Sequence, residues 1–258
     1  MGHGTPVLLL HSALSSKLQW YHLMRQMSRD HLMLAVDLYG YGDSPFPTKT
    51  SNFTLSDEIA LVESLLEGII PHNEPLHVVG HSLGGAVGLR FCYKAPERIL
   101  SLSLFEPVAF HLLPETEEAL FKVKKVNQLV SQRIDQGDYP GAAEYFIDYW
   151  NGTGTFSSYP KEIRLILGQG IKKMRLEFQE LLGEPLSLND YKTIDTPVCL
   201  MAGRQSPMEA HRVSELLAET LPHCRMHWVD GGHMAPLLQS DVVNGIIEEF
   251  IREVRGKG

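Results

Sequence analysis

The stretch Leu76-His77-Val78-Val79-Gly80-His81-Ser82-Leu83-Gly84-Gly85 sets a serine between two glycines, after an apolar, β-branched run and before a helix-like segment. A strand that turns sharply into a helix at Ser82 holds the hydroxyl exposed, as a weak oxygen nucleophile requires if it is to attack a carbonyl. Gly80 and Gly84 leave room for the close backbone approach of such a turn. The helix that follows starts at the reactive oxygen. Its first N–H groups, beginning with that of Leu83, carry partial positive charge and can stabilise an oxyanion. An ordinary serine in a glycine-rich loop would show the same short signature, and it is the flanking strand and helix patterns that favour the reactive turn.

Outward from this turn, short apolar runs at residues 6–10, 32–36, 76–79, 99–104, 197–202 and 225–229 alternate with segments of helical period. Runs that are mostly apolar throughout, rather than alternating, mark strands buried on both faces of a parallel sheet. Leu55, Ile59, Val62, Leu66 and Ile69 recur at helical spacing, as do Val243, Ile246, Ile247, Phe250, Ile251 and Val254, and each set defines a packing face. The alternation predicts an α/β fold, a mostly parallel doubly wound sheet with its site at the carboxyl ends of the strands. The interval 109–191 breaks this rhythm. It is helix-like and strand-poor, with Lys/Glu-rich stretches and the aromatic residues Tyr145, Phe146, Tyr149 and Trp150. We therefore expect a core of residues 1–108 and 192–258 and an inserted helical cap over 109–191, with Trp150 among the walls of a substrate pocket. Aromatic residues at this spacing more often form ordinary core.

Composition narrows the functional classes. A net charge of −8 without a Lys/Arg cluster argues against a nucleic-acid partner. No run approaches the ~20 apolar residues of a membrane helix, so a small-molecule substrate is the expected partner. The opening Met1-Gly2-His3-Gly4-Thr5-Pro6 has neither the basic start nor the apolar core of a secretory signal, and a cytoplasmic location is expected. Cys92, Cys199 and Cys224 are too few for a disulfide framework. The four-residue spacings His77/His81 and His223/His227 lie on no plausible helix with a third ligand, and no G-x-x-x-x-G-K-[ST] phosphate loop occurs. Neither a metal nor a cofactor is expected.

Four segments in order, Leu8-Leu9-Leu10-His11-Ser12-Ala13, Asp37-Leu38-Tyr39-Gly40-Tyr41-Gly42-Asp43-Ser44, Gly80-His81-Ser82-Leu83-Gly84-Gly85 and Gly231-Gly232-His233, resemble the α/β-hydrolase superfamily over nearly the whole chain. Relatives usually carry His-Gly where this chain has His11-Ser12, and a hairpin ahead of that point, so a shorter sheet edge is expected. The resemblance implies that Ser82 attacks an acyl carbonyl and that His233, on the loop after the last strand, accepts its proton. It implies backbone oxyanion donors at Leu83 and Ala13, with Ser12 beside the substrate. His11 would order its loop, and Asp37 would make structural hydrogen bonds.

The acid does not transfer so directly. Where many relatives carry an aspartate after the penultimate strand, this chain reads Ala202-Gly203-Arg204-Gln205-Ser206-Pro207. Glu106 ends the strand Leu102-Ser103-Leu104-Phe105-Glu106-Pro107, and Pro107 biases it toward an extended backbone at the sheet's carboxyl edge. Glu209 lies in the first turn of an expected helix, where a glutamate commonly complements the dipole. Asp230 is three residues from His233, a poor geometry for reaching its Nδ1. Glu106 is the preferred candidate, with Glu209 and Asp230 as alternatives. The expectation is a cofactor-free serine hydrolase that cleaves an ester or related acyl bond of a small, largely apolar substrate through Ser82, His233 and Glu106 and an acyl-enzyme. A carbon–carbon bond hydrolase with the same triad and a slow or non-catalytic small-molecule receptor are the alternatives.

Overall fold

Each apolar run forms a strand: β1 (Thr5–Leu10), β2 (His31–Val36), β3 (Leu76–His81), β4 (Ile99–Phe105), β5 (Val198–Gly203) and β6 (Cys224–Val229). The computed structural model describes residues 1–256. All six strands pair in parallel in the order β2-β1-β3-β4-β5-β6. Strands β1, β3, β4 and β5 are buried almost throughout, as continuous apolar runs require. Strand β6 departs from that reading. It is an edge strand with only Val229 fully buried and Arg225 exposed.

The helices, in chain order, are α1 (Tyr21–Met27), α2 (Leu55–Glu67), α3 (Leu83–Lys94), α4 (Glu118–Asp135), α5 (Tyr139–Asn151), α6 (Thr155–Ser158), α7 (Lys161–Gly170), α8 (Met174–Gly183), α9 (Leu188–Tyr191), α10 (Met208–Thr220), α11 (Ala235–Leu238) and α12 (Ser240–Arg255). The period-two alternation of β1 shows how they are layered. Val7 and Leu9 pack with Leu23 and Met27 of α1 and Val243 and Ile247 of α12. Leu8 and Leu10 face the other way, into the cluster built by α2, α3 and α10. Helix α2 starts at a capping box, in which the Thr54 N–H and hydroxyl both donate to Asp57 Oδ2 at 2.8 Å. Its expected face is buried at Leu55, Ile59, Val62 and Leu66. Ile69 lies past the helix end and is exposed, and Ile70 is buried in its place.

Between β4 and β5 the chain forms no strand and runs through α4 to α9. Apolar residues of this segment, among them Val123, Val130, Ile147 and Trp150, join the same cluster as Leu8 and Leu10. A buried ionic cluster also pins it. Lys173, just ahead of α8, pairs with Glu58 of α2 at 2.5 Å and with Glu177 at 3.3 Å, while the Tyr41 hydroxyl donates to Glu177 at 2.5 Å. Glu180 is buried beside them. Burial pushes the Glu177 carboxyl up and that of Glu180 well above the usual carboxylate range.

The strand order decides where the site can lie. The chain passes from β1 outward to β2 and then returns to place β3 on the other side of β1. Segments leaving the carboxyl ends of β1 and β3 therefore diverge around a crevice, the position where open α/β sheets bind ligands.

Candidate active site

Leu10 of β1 lies opposite Gly80 of β3, and His81 lies opposite Phe105 of β4. The residues just past these strand ends, Ser12, Ser82 and Glu106, consequently leave the sheet side by side. Ser82 takes φ 54° and ψ −116°, a conformation rare for a side-chain-bearing residue, and its N–H donates to the Phe105 carbonyl at 3.0 Å. The first turn of α3 is packed onto the loop after β1. A Cβ on Gly84 would lie 2.3 Å from the Leu10 carbonyl oxygen, and the Gly84 N–H donates to the His11 carbonyl at 3.1 Å. Only glycine fits there. The N–H groups of Leu83 and Ala13 make no hydrogen bond among the described residues.

His233, carried on the loop after β6, lies with Nε2 3.0 Å from Ser82 Oγ and Nδ1 2.6 Å from Glu106 Oε2. The other carboxylate oxygen of Glu106 accepts the Gly203 N–H at 2.7 Å. All three side chains are buried. An ionised carboxylate only accepts, so this network assigns the proton to Nδ1 and leaves Nε2 to accept the Ser82 hydroxyl. The backbone of Glu106 is not extended as Pro107 suggests but sits at φ 42°. Its N–H continues the sheet by donating to the Met201 carbonyl at 2.9 Å while its carboxylate is tied to β5 and His233, and these bonds together hold the strained turn.

The rival carboxylates are engaged elsewhere. Glu209 accepts the Tyr149 hydroxyl of α5, and Asp230 is exposed and pairs with Arg204 at 3.1 Å. Ser206, at the position of the aspartate of many relatives, is buried with no hydrogen-bond partner for Oγ among the described residues. Asp37 accepts the Lys17 N–H, the Lys17 ammonium and the Asp43 N–H, which makes it a loop-ordering residue. His11 donates from Nδ1 to the Ser12 carbonyl at 2.7 Å and accepts the Leu38 N–H at 3.0 Å, and burial pulls it down to about 4. It is neutral and orders the loop.

Sequence reasoning overlooked further contributors. Gln19 accepts the Ser12 N–H at 3.1 Å and the Ser12 hydroxyl at 3.0 Å, so both hydrogen-bond donors of Ser12 are occupied. The Gln19 amide in turn donates to His81 Nδ1 at 3.1 Å, and His81 Nε2 donates to the His233 carbonyl at 2.8 Å. Burial holds His81 well below the usual histidine range, consistent with this neutral tautomer. Nothing local in the sequence marks Gln19. Gly203 did carry a signal as a glycine ending a strand: a Cβ there would lie 2.5 Å from the Gly231 carbonyl oxygen, so its absence lets the His233 loop approach β5. Leu14, at φ 56°, lies in the wall of the cavity over Ser82.

That cavity measures about 180 Å³ and is lined by Ser12, Ala13, Leu14, Ser82, Phe146, Trp150 and His233, with further residues of α5, α7 and α11. The Trp150 ring centroid lies 4.5 Å from that of His233. No Lys, Arg, Asp or Glu is among the described residues of its lining.

The profile of the alpha/beta hydrolase fold family matches residues 5–239. A cis-3-alkyl-4-alkyloxetan-2-one decarboxylase of Shewanella oneidensis is 31% identical over 273 residues, spanning 98% of this chain and 83% of that one. A haloalkane dehalogenase of Agrobacterium fabrum is 33% identical over a shorter stretch of 107 residues, 42% of this chain and 34% of that protein. The structure of MenH from S. aureus superposes with a TM-score of 0.79 at 17% identity, covering 99% of this chain and 96% of the other, a likeness of fold. Because the family match runs from β1 through α11 and takes in every strand end that meets at Ser82, the chain belongs to the alpha/beta hydrolase fold family.

Proposed function

We propose that this protein is a serine hydrolase of small, neutral, largely apolar esters or related acyl compounds, acting through Ser82, His233 and Glu106. The observation that carries the reading is the unbroken hydrogen-bond line from Ser82 Oγ through both nitrogens of His233 to Glu106. Ser82 Oγ attacks the acyl carbon as His233 Nε2 takes its proton, and the Glu106 carboxylate stabilises the imidazolium that forms. The Leu83 and Ala13 N–H groups receive the oxyanion. Collapse of the tetrahedral intermediate expels the alcohol, protonated by His233, and water repeats the sequence on the acyl-enzyme. None of these steps calls on a metal or a cofactor. The segment 109–191 acts as the cap, with Trp150 and Phe146 walling the cavity.

The identity of the nucleophile limits the substrate class. Displacement on an alkyl halide or epoxide by Ser82 would leave an ether, which activated water cannot hydrolyse, whereas a carboxylate nucleophile would leave a cleavable ester. Acyl carbonyls are the electrophiles a serine can both attack and release. The Shewanella relative's name describes a four-membered cyclic ester bearing two alkyl groups, a neutral acyl compound of the kind an uncharged cavity favours.

A fluorophosphonate probe should label Ser82 covalently at neutral pH, and p-nitrophenyl acetate should be turned over. Loss of one triad member commonly costs 10³-fold or more, so Ser82→Ala should abolish labelling and turnover while the fold persists. Labelling of a different serine, or a Ser82→Ala protein retaining more than ~10% of activity, would contradict the assignment.

A further inference from the structure

The cavity over Ser82 is too small for an extended substrate. A cavity of about 150 Å³ holds one benzene-sized molecule, and drug-sized ligands fill about 300–1,000 Å³. At about 180 Å³, the space over Ser82 takes one short arm of an ester. A second space of about 560 Å³ adjoins it, and the two share Leu14, Ser15, Ile163, Leu167 and Leu237 in their walls. Beyond the shared wall the outer groove is built by Leu18, Ile166 and Pro236.

These side chains are unusual in their exposure. Leu18 is 70% exposed, Ile166 66%, Ile163 42% and Leu237 41%. Single exposed leucines need no explanation, but here aliphatic side chains from three separate segments, the turn after β1, α7 and α11, converge on one side of the cavity mouth. The polar residues of the groove are Ser15, Ser16, Gln19, His22 and Ser240, and no Lys, Arg, Asp or Glu is among its described lining. Such a wall offers a phosphate or carboxylate no partner and favours a hydrocarbon chain. Because Leu14, Ser15, Ile163, Leu167 and Leu237 line both spaces, the groove lies alongside the cavity over Ser82, within reach of a second arm of the same substrate.

We propose that this groove is an outer subsite for the long alkyl or acyl arm of a neutral amphiphilic ester, whose carbonyl lies at Ser82 and whose short arm fills the inner cavity. The substrate class rests on the serine hydrolase reading above. A methylene fully removed from water is worth about fourfold in binding, and about twofold when half covered. The six additional methylenes of an octanoyl over an acetyl ester, lying in an open groove, should therefore raise kcat/KM by about 50-fold.

The test compares kcat/KM within two series, p-nitrophenyl acetate, butyrate and octanoate, and ethyl, n-butyl and n-octyl acetate, each compound below its aggregation concentration. The first series lengthens the acyl arm and the second the alcohol arm. One series should show the long-chain preference, and Leu18→Gln combined with Ile166→Gln should reduce the long-to-short ratio about tenfold. Calorimetric binding of n-octyl acetate and of p-nitrophenyl octanoate to Ser82→Ala protein, with and without the groove substitutions, reads the same subsite without turnover. About tenfold weaker binding of one long-chain ester supports the proposal. A flat chain-length profile in both series, or affinities for both esters that the groove substitutions leave unchanged, overturns it. If the native protein hydrolyses no ester, the catalytic reading falls and the calorimetric arm still decides the groove. If the substitutions abolish sedimentation with phosphatidylcholine vesicles but leave chain-length selectivity intact, the groove docks a lipid surface and the proposal is wrong.

Discussion

Glu106→Gln tests the charge relation at the centre of the site, and the structure dictates how the glutamine must sit. In the native protein one carboxylate oxygen accepts the Gly203 N–H at 2.7 Å and the other faces His233 Nδ1 at 2.6 Å. A glutamine has one oxygen and one NH₂. Turning the NH₂ toward Gly203 would set two buried donors against each other, at a cost of about 1–3 kcal/mol. The oxygen therefore stays on Gly203 and the NH₂ faces Nδ1, which must become an acceptor. The imidazole proton moves to Nε2, 3.0 Å from Ser82 Oγ, where it blocks proton acceptance from the hydroxyl. The same wrong-tautomer logic in a serine protease costs about 10⁴ in kcat, and we expect kcat here to fall by about 10²–10⁴ with KM changed much less. The assay is steady-state hydrolysis of p-nitrophenyl acetate across pH, with a thermal melt to establish that the variant is folded. Glu209→Gln and Asp230→Asn are the controls. Near-native kcat for Glu106→Gln, with collapse in either control, would refute the assignment of Glu106.

Gly84→Ala should lower kcat by about 10²-fold, since a shift of about 1 Å in an active-site group can cost that much. Its Cβ would meet the Leu10 carbonyl oxygen at 2.3 Å, and only displacement of the first turn of α3, with the Leu83 N–H, relieves the clash. A variant within twofold of native would show that this turn does not position the oxyanion. Lys173→Met removes the ammonium beside Glu58 and Glu177 and should cost about 3–5 kcal/mol in urea unfolding. That deficit should shrink as pH falls, because Glu177 and Glu180, already held above the usual carboxylate range by burial, then take up protons. A pH-independent deficit would count against the cluster. His11 and His77 are each pulled down by burial from 6.5 to about 4, so the native state binds fewer protons than the unfolded chain between these values. Stability should fall as pH drops through that window by up to about 1.4 kcal/mol per pH unit for each group. His77→Gln should flatten this acid limb in denaturant unfolding at stepped pH, and an unchanged slope would exclude His77 as a contributor.

What the sequence by itself determined is local. Residues 76–85 specify a strand, a tight turn and a helix through β-branching and the placement of Gly80 and Gly84, and the strands follow from apolar runs, because backbone sterics and burial periodicity act over a few residues. The order in which Ser82 and His233 follow their strands was legible for the same reason. The strand-end position favoured Glu106 over Glu209 and Asp230, but the geometry that decides among them was not legible. All three offer the same carboxylate, and the local rule for a residue before proline pointed to an extended Glu106 that the fold holds at φ 42°. Which oxygen comes within 2.6 Å of a histidine 127 positions away depends on strand order, on the register of β4 against β5, and on the close approach that Gly203 permits. Gln19 reaching His81, and Lys173 reaching Glu58 115 positions earlier, belong to the same class. A hydrogen bond is sensitive to tenths of an ångström, and only the packed tertiary structure sets distances on that scale between residues so far apart in the chain.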